Sequence, residues 1–306
     1  MLVSCTATAK EGGRPNRTNF GVKVCSHKKV SYTWAGASSS NAYAEVNQEI
    51  DFSQSAASKI RLPLRKLETK YFIVFTNVPT DQPIDFLPML DMMYANVMEL
   101  LNMPAEYNIW KGKAAVYLFN TREQFINFEK NMYGNTITFQ AAICHQHYTG
   151  EVRIATYNMK DKLYLQQLMV HEAAHGIIHR YKSPKRIPVW LNEGLADWAA
   201  MSTQADLKNY RVKKTLSVKF IKNKGYLPKA FFGKLNFIPE YYGSALAITD
   251  MLISKGKDKF IRFIDQIKSG STWQDAMFAI YQLTPAKLIT VYGESINIPA
   301  LTIKAD

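Results

Sequence analysis

One five-residue stretch, His171-Glu172-Ala173-Ala174-His175, constrains this chain more than any other. Leu168, Met169 and Val170 precede it and Ile177 and Ile178 follow, so the pattern predicts a buried helix over residues 161–181. Two imidazoles and a carboxylate on a buried helix are costly without a partner. Positions i and i+4 share a helix face, so both imidazoles can reach a single ion at about 2 Å. Glu172 is turned about 100° from His171. It cannot easily join the same coordination set, but it can reach a water on the ion, where a general base belongs.

The third ligand decides the subclass. A metzincin would need Gly at position 178 and His at 181; the chain has Ile178 and Tyr181. His179 lies a further turn along the same face. One straight helix cannot wrap three imidazoles around one ion, so His179 reads as a helix-end residue or a support to the ligands. Glu193 is the better candidate, in Trp190-Leu191-Asn192-Glu193-Gly194-Leu195-Ala196-Asp197. It follows the turn at Lys182-Ser183-Pro184-Lys185-Arg186, and two helices joined by that turn can pack antiparallel, bringing Glu193 to the histidines. Asp197, one turn later, is placed to accept the second N–H of a ligating histidine.

These two segments together resemble the gluzincins, the zinc peptidases related to thermolysin and the aminopeptidases. The Leu191–Ala196 run is most similar to the bacterial peptidase MA-like branch. The resemblance spans about residues 71–292, closely at the metal motifs and loosely elsewhere, including Glu240-Tyr241-Tyr242-Gly243-Ser244-Ala245. It implies an α+β fold with a sheet-bearing upper lobe, an all-helical lower lobe and an active-site cleft between them. It implies one Zn2+ held by His171, His175 and Glu193, and a peptide or protein substrate. The substrate-binding signatures of the thermolysin and aminopeptidase branches are not intact, so substrate preference is not carried over.

The rest of the chain fits that division. Residues 1–66, rich in glycine, serine, asparagine and lysine, read as an ill-defined leader with a few strands or a short helix. Residues 67–160 read as the α+β lobe. Tyr71–Phe75 and Ala114–Phe119 are strand-like, Leu87 to Leu101 has helical spacing, and Thr121 with Gln124 forms a capping box. Residues 136–147 and 151–157 read as strands of a hairpin at the cleft edge. Residues 161–306 read as the helical lobe, with helices at about 161–181, 188–201, 242–254, 258–268, 273–282 and 286–292. His145 and His147 share a strand face and could suggest a second metal site. No carboxylate partner is evident, so they read as solvent or cleft-wall histidines. Tyr241 and Tyr242, at the start of a helix, are candidate phenol donors to a reaction oxyanion. Tyr241 is preferred, because Tyr242 aligns with Ala245, Leu246 and Thr249 on a packing face.

Composition bounds the alternatives. Of 306 residues, 47% are hydrophobic and 21% charged, which suits a globular core. The net charge of +13 suits acidic partners in principle. Nine basic residues between 201 and 240 carry no aromatic-and-glycine nucleic-acid signature, so a nucleic-acid binder is a distant alternative. Cys5, Cys25 and Cys144 make neither a disulfide framework nor a cysteine metal site. No apolar run reaches the ~18 residues a membrane span needs. Leu2-Val3-Ser4-Cys5 reads like a lipobox and Ala7-Thr8-Ala9 like the end of a signal peptide, without the segments that should precede them. Export or attachment to the cell envelope is the expectation, with a cytoplasmic location as the alternative. Two further functional alternatives stay open: a zinc hydrolase of a non-peptide ester or amide, and a non-catalytic binding module in which zinc staples helices. Oligomeric state is not encoded in any pattern here.

Overall fold

The structure, a computed structural model, describes residues 42–305 apart from 85, 204–206 and 234–236. The lipobox-like segment, Cys5 and Cys25 lie outside the described residues.

The first half builds a five-stranded sheet. Helix α1 (Ala42–Ile60) leads into β1 (Arg65–Glu68), β2 (Phe72–Thr76), α2 (Leu87–Leu100), β3 (Ala114–Phe119), α3 (Arg122–Tyr133), β4 (Ala142–Gln146) and β5 (Val152–Tyr157). The spatial order is β1-β2-β3-β5-β4. The central β2, β3 and β5 run parallel, and the edge strands β1 and β4 are antiparallel to their neighbours. Strands covered on both faces carry continuous apolar runs. That is why Phe72-Ile73-Val74-Phe75 and Ala114–Phe119 are buried at every position. On one face Ile73, Phe75, Tyr117 and Phe119 pack with Ala56 and Ile60 of α1 and Phe125 and Phe128 of α3. On the other, Phe72, Val74, Val116 and Ile154 pack against α2 and the helix bearing the histidines.

The second half is helical: α4 (Lys162–Arg180), α5 (Val189–Ser202), α6 (Lys208–Lys224), α7 (Pro239–Ser254), α8 (Lys257–Ser269), α9 (Trp273–Tyr281) and α10 (Pro285–Ser295). A minimal parallel pair, β6 (Leu227–Pro228) with β7 (Ile303–Lys304), ties the end of the chain back to the segment after α6. The architecture is α+β, as the sequence implied.

Local signals account for many boundaries. Thr121 and Gln124 form the expected capping box. Asp161, Thr272 and Thr284 each accept a backbone N–H at the start of α4, α9 and α10. Gly270 ends α8 at φ 124°, a backbone region open to glycine.

Three expectations need correction. The described part of residues 1–66 is no loose leader. Its 19-residue α1 packs on the sheet, and an Arg153–Glu49 ion pair at 2.7 Å clamps it there. The strand expected over 136–147 shrinks to Ala142–Gln146. Ahead of it the Gln140 side chain accepts the backbone N–H groups of Thr138 and Phe139, a local turn that competes with the ladder. The basic stretch after 201, given no element from sequence, contains the 17-residue α6.

Candidate metal centre and cleft

Helix α4 carries the histidines because its whole C-terminal half is buried between the sheet and α5. Val170, Ala173, Ala174, Ile177 and Ile178 fill that contact. Gly176 lets the helix approach the sheet: a Cβ there would lie 2.6 Å from Val152 Cγ1. Pro188 precedes α5, which returns past α4 and delivers Glu193 and Asp197.

The three expected ligand residues converge. His171 Nε2 lies 3.1 Å from His175 Nε2 and 3.2 Å from Glu193 Oε2, and His175 Nε2 lies 3.6 Å from the same oxygen. The imidazole planes are at 89°. Four ligands placed tetrahedrally at 2.0–2.1 Å from one ion stand about 3.3 Å apart, which matches these spacings.

Hydrogen-bond accounting points the same way. His171 Nδ1 donates to Asp197 Oδ1 at 2.9 Å, which leaves the Nε2 lone pair of the neutral ring facing the Glu193 carboxylate and a second imidazole. Lone pairs at van der Waals distance repel unless a proton or a cation lies between them. Burial opposes a charged His171, but the Asp197 and Glu193 carboxylates outweigh it and hold the imidazole up at about 10. Burial likewise opposes the Glu193 carboxylate, and the two histidines override it, drawing its pKa far below the usual range. This small anionic pocket attracts positive charge. The donor set of two imidazoles and a carboxylate fits a divalent transition metal such as zinc.

Asp197 is 1% exposed and reaches His171, as the sequence suggested. It does not reach His175, whose Nδ1 has no partner among the described residues. Asp197 is itself gripped by Lys213 of α6, whose ammonium lies 2.7 and 2.9 Å from the two carboxylate oxygens. Sequence reasoning missed Lys213, which is one of nine basic residues in its stretch and carries no motif.

Beside the triad opens a cleft of about 420 Å³. Its lining includes Glu172, the edge strand β4 through Ala142, Cys144 and Gln146, Tyr242 of α7 and Lys268 of α8. The hairpin therefore forms a cleft edge. Its histidines do not line the cleft: strand alternation sends His145 and His147 to the opposite face. There His145 stacks on Tyr133 and meets the buried Glu129 at 2.9 Å. The carboxylate partner that the sequence hid sits on α3. His147 faces Arg153 at 3.1 Å. His179 takes no part in the triad, and its Nε2 lies 3.0 Å from the His147 carbonyl, which ties α4 to the hairpin.

The preference for Tyr241 over Tyr242 is also corrected. Tyr241 is 2% exposed and packs edge-on against Phe220, Phe231 and Phe237. It heads a buried stripe, Tyr241, Ala245, Ile248 and Leu252, at 3–4 spacing. Tyr242, one position on, lines the cleft with the triad and Glu172. Burial, with the Glu193, Asp197 and Glu172 carboxylates, pushes its phenol pKa upward.

A family model described as the peptidase MA superfamily matches residues 123–297, from α3 to beyond α10. The chain belongs to the peptidase MA superfamily. For a peptidase MA chain the general activity is peptidase hydrolysis, and the substrate class is peptide or protein. His171, His175 and Glu193 all fall within the matched segment, as does the cleft they border. Among curated proteins none matches this peptidase MA chain significantly. No helix among its described residues is long and apolar enough to cross a membrane.

Proposed function

We propose that this chain is a zinc-dependent metallopeptidase in which His171, His175 and Glu193 hold the ion and Glu172 is the general base. The observation that carries this reading is the convergence of two imidazole nitrogens and a carboxylate oxygen, at 3.1, 3.2 and 3.6 Å, beside an open cleft that Glu172 also lines.

When bound, the ion supplies Lewis acidity to the scissile carbonyl and to a water. Glu172 accepts the proton of the attacking water and hands it to the leaving amine. Asp197 holds His171 in the tautomer that presents Nε2, and Lys213 holds Asp197. Tyr242, kept protonated by its surroundings, is positioned to donate to the oxyanion that forms on the carbonyl. Strand β4 is a sheet edge along the cleft, so an extended peptide can add to it as a further strand. A purely structural staple gives no use to a carboxylate beside an accessible cleft.

Glu172→Gln tests the reading. The variant should bind about one zinc, as the unmodified chain should, because the ligands are intact. Its peptide hydrolysis should fall at least ~10²-fold, the usual worth of a positioned base. Equal hydrolysis by the variant would reject the mechanism. A zinc-loaded protein that cleaves esters or non-peptide amides but no peptide would move the reading to the other hydrolase class.

A further inference from the structure

The cleft has two electrostatic ends. At the triad stand Glu172 and Glu193, with Asp197 behind His171. Where the loop after α4 meets α8, the lining is Lys185, Arg186 and Lys268, with no carboxylate among them. Lys268 is only 3% exposed. Its ammonium donates to the carbonyls of Ile178 and Lys185 at 2.8 and 2.9 Å, and it has no ion pair among the described residues. Asp265, one turn back on the same helix, is engaged by Lys182 at 2.5 Å and by the Tyr181 hydroxyl at 2.7 Å.

Capping Ile178 in the last turn of α4 and Lys185 in the loop that follows explains two of the three donors of that ammonium. It does not explain a full charge, since a neutral amide would cap as well, and a buried cation without an anion is costly. Burial alone, with no acid to oppose it, pulls the Lys268 pKa down to about 7. A lysine left in this condition on a cleft wall lacks only an anion, and a substrate can bring one.

We propose that this wall is an anion subsite that receives a carboxylate of the substrate, with Lys268 as the buried charge and Lys185 and Arg186 as the exposed ones. The inference rests on the peptidase reading and adds a substrate class to it. Ile178 is seven residues after His171, so the subsite lies on the order of 10 Å along α4 from the metal end. An extended peptide covers that span in about three residues. The carboxylate is either the peptide C-terminus, which would make the enzyme release short C-terminal fragments, or an Asp or Glu side chain at that spacing.

Matched peptides separate the sources: one pair differs only in a free or amidated C-terminus three residues beyond the cleavage point, the other only in Glu against Gln there. Cleavage is measured with the full-length zinc-loaded enzyme. Binding is measured separately, by fluorescence anisotropy, on the Glu172→Gln chain. The anionic member of one pair should be preferred about 10- to 100-fold, chiefly through KM and Kd, which is the worth of a charge-assisted hydrogen bond. Preference in the first pair identifies the C-terminus, and in the second a side chain. Lys268→Met should abolish the preference. Because that change also uncaps two carbonyls, the exposed double variant Lys185→Gln/Arg186→Gln is run beside it and should reduce the preference several-fold with melting and zinc content unchanged. Equal handling of both pairs by the unmodified chain overturns the subsite, and a preference that survives in both variants overturns its assignment to this wall. Failure to cleave any peptide defeats the peptidase reading, while the anisotropy pairs still decide the subsite.

Discussion

Asp197 sits between the His171 imidazole and the Lys213 ammonium. Asp197→Asn keeps the shape but weakens the acceptor that fixes the His171 tautomer. Zinc affinity should fall about 10–100-fold with the fold intact; unchanged affinity in a metal-buffered titration would remove the role. The two tyrosines make a paired test. Tyr242→Phe deletes a hydroxyl from the cleft wall and should lower kcat by about 10–10³-fold with KM little changed, since the bond forms mainly in the transition state. Tyr241→Phe alters a ring buried among Phe220, Phe231 and Phe237 and should leave kcat within a few-fold. The opposite ranking in steady-state kinetics would return the donor role to Tyr241. At this scale the meeting of His171, His175 and Glu193 was legible because coordination of one ion would impose such a spacing. Tyr242 was not: adjacent helical positions differ by about 100°, and only the packing of α7 says which of two tyrosines faces inward.

At the scale of elements, the site depends on how closely α5 lies against α7. Gly194 follows Glu193, and a Cβ there would lie 2.3 Å from Thr249 Oγ1 and 2.4 Å from the Ala245 carbonyl oxygen. Gly194→Ala must therefore push the two helices apart and carry Glu193 with them. Overpacking of this kind costs about 1–3 kcal/mol. The melting temperature of the metal-free chain should drop, and zinc should bind more weakly than to the unmodified chain. A variant that melts and binds zinc as before would show that the contact relaxes without cost. The sequence shows the glycine beside the glutamate, but not the backbone that presses on it.

Across the whole molecule, α1 is bound to the cleft edge through residues far apart in the chain. Lys111 bridges Glu45 of α1 at 3.2 Å and Glu151, at the start of β5, at 2.6 Å. Arg153 pairs with Glu49 across 104 positions and covers the Phe52 ring at 4.0 Å. Burial would raise the Glu151 pKa, but hydrogen bonds from Lys111 and Thr149 overcome it and lower it to about 2. A depressed carboxylate stabilises the fold above its unfolded value, 4.5, and loses that contribution as pH falls toward 2. Glu151→Gln should cost about 1–2 kcal/mol at pH 7, discounted for partial exposure. The deficit should shrink steadily below pH 4.5 in urea melts; a deficit independent of pH would mean packing, not charge.

Spacing along the chain determined the helix that carries His171 and His175 and the caps that start α3, α9 and α10, because helix periodicity and end-capping are local properties. The order of strand-like and helical segments, together with the resemblance at the metal motifs, also implied the α+β class. The tertiary structure alone decided that α1 belongs to the sheet, that Glu129 partners His145, that Lys213 holds Asp197, that Tyr242 faces the cleft and that Lys268 is buried there without an acid among the described residues. Each of these joins side chains brought together by packing between elements, and no local period in the sequence encodes such a meeting.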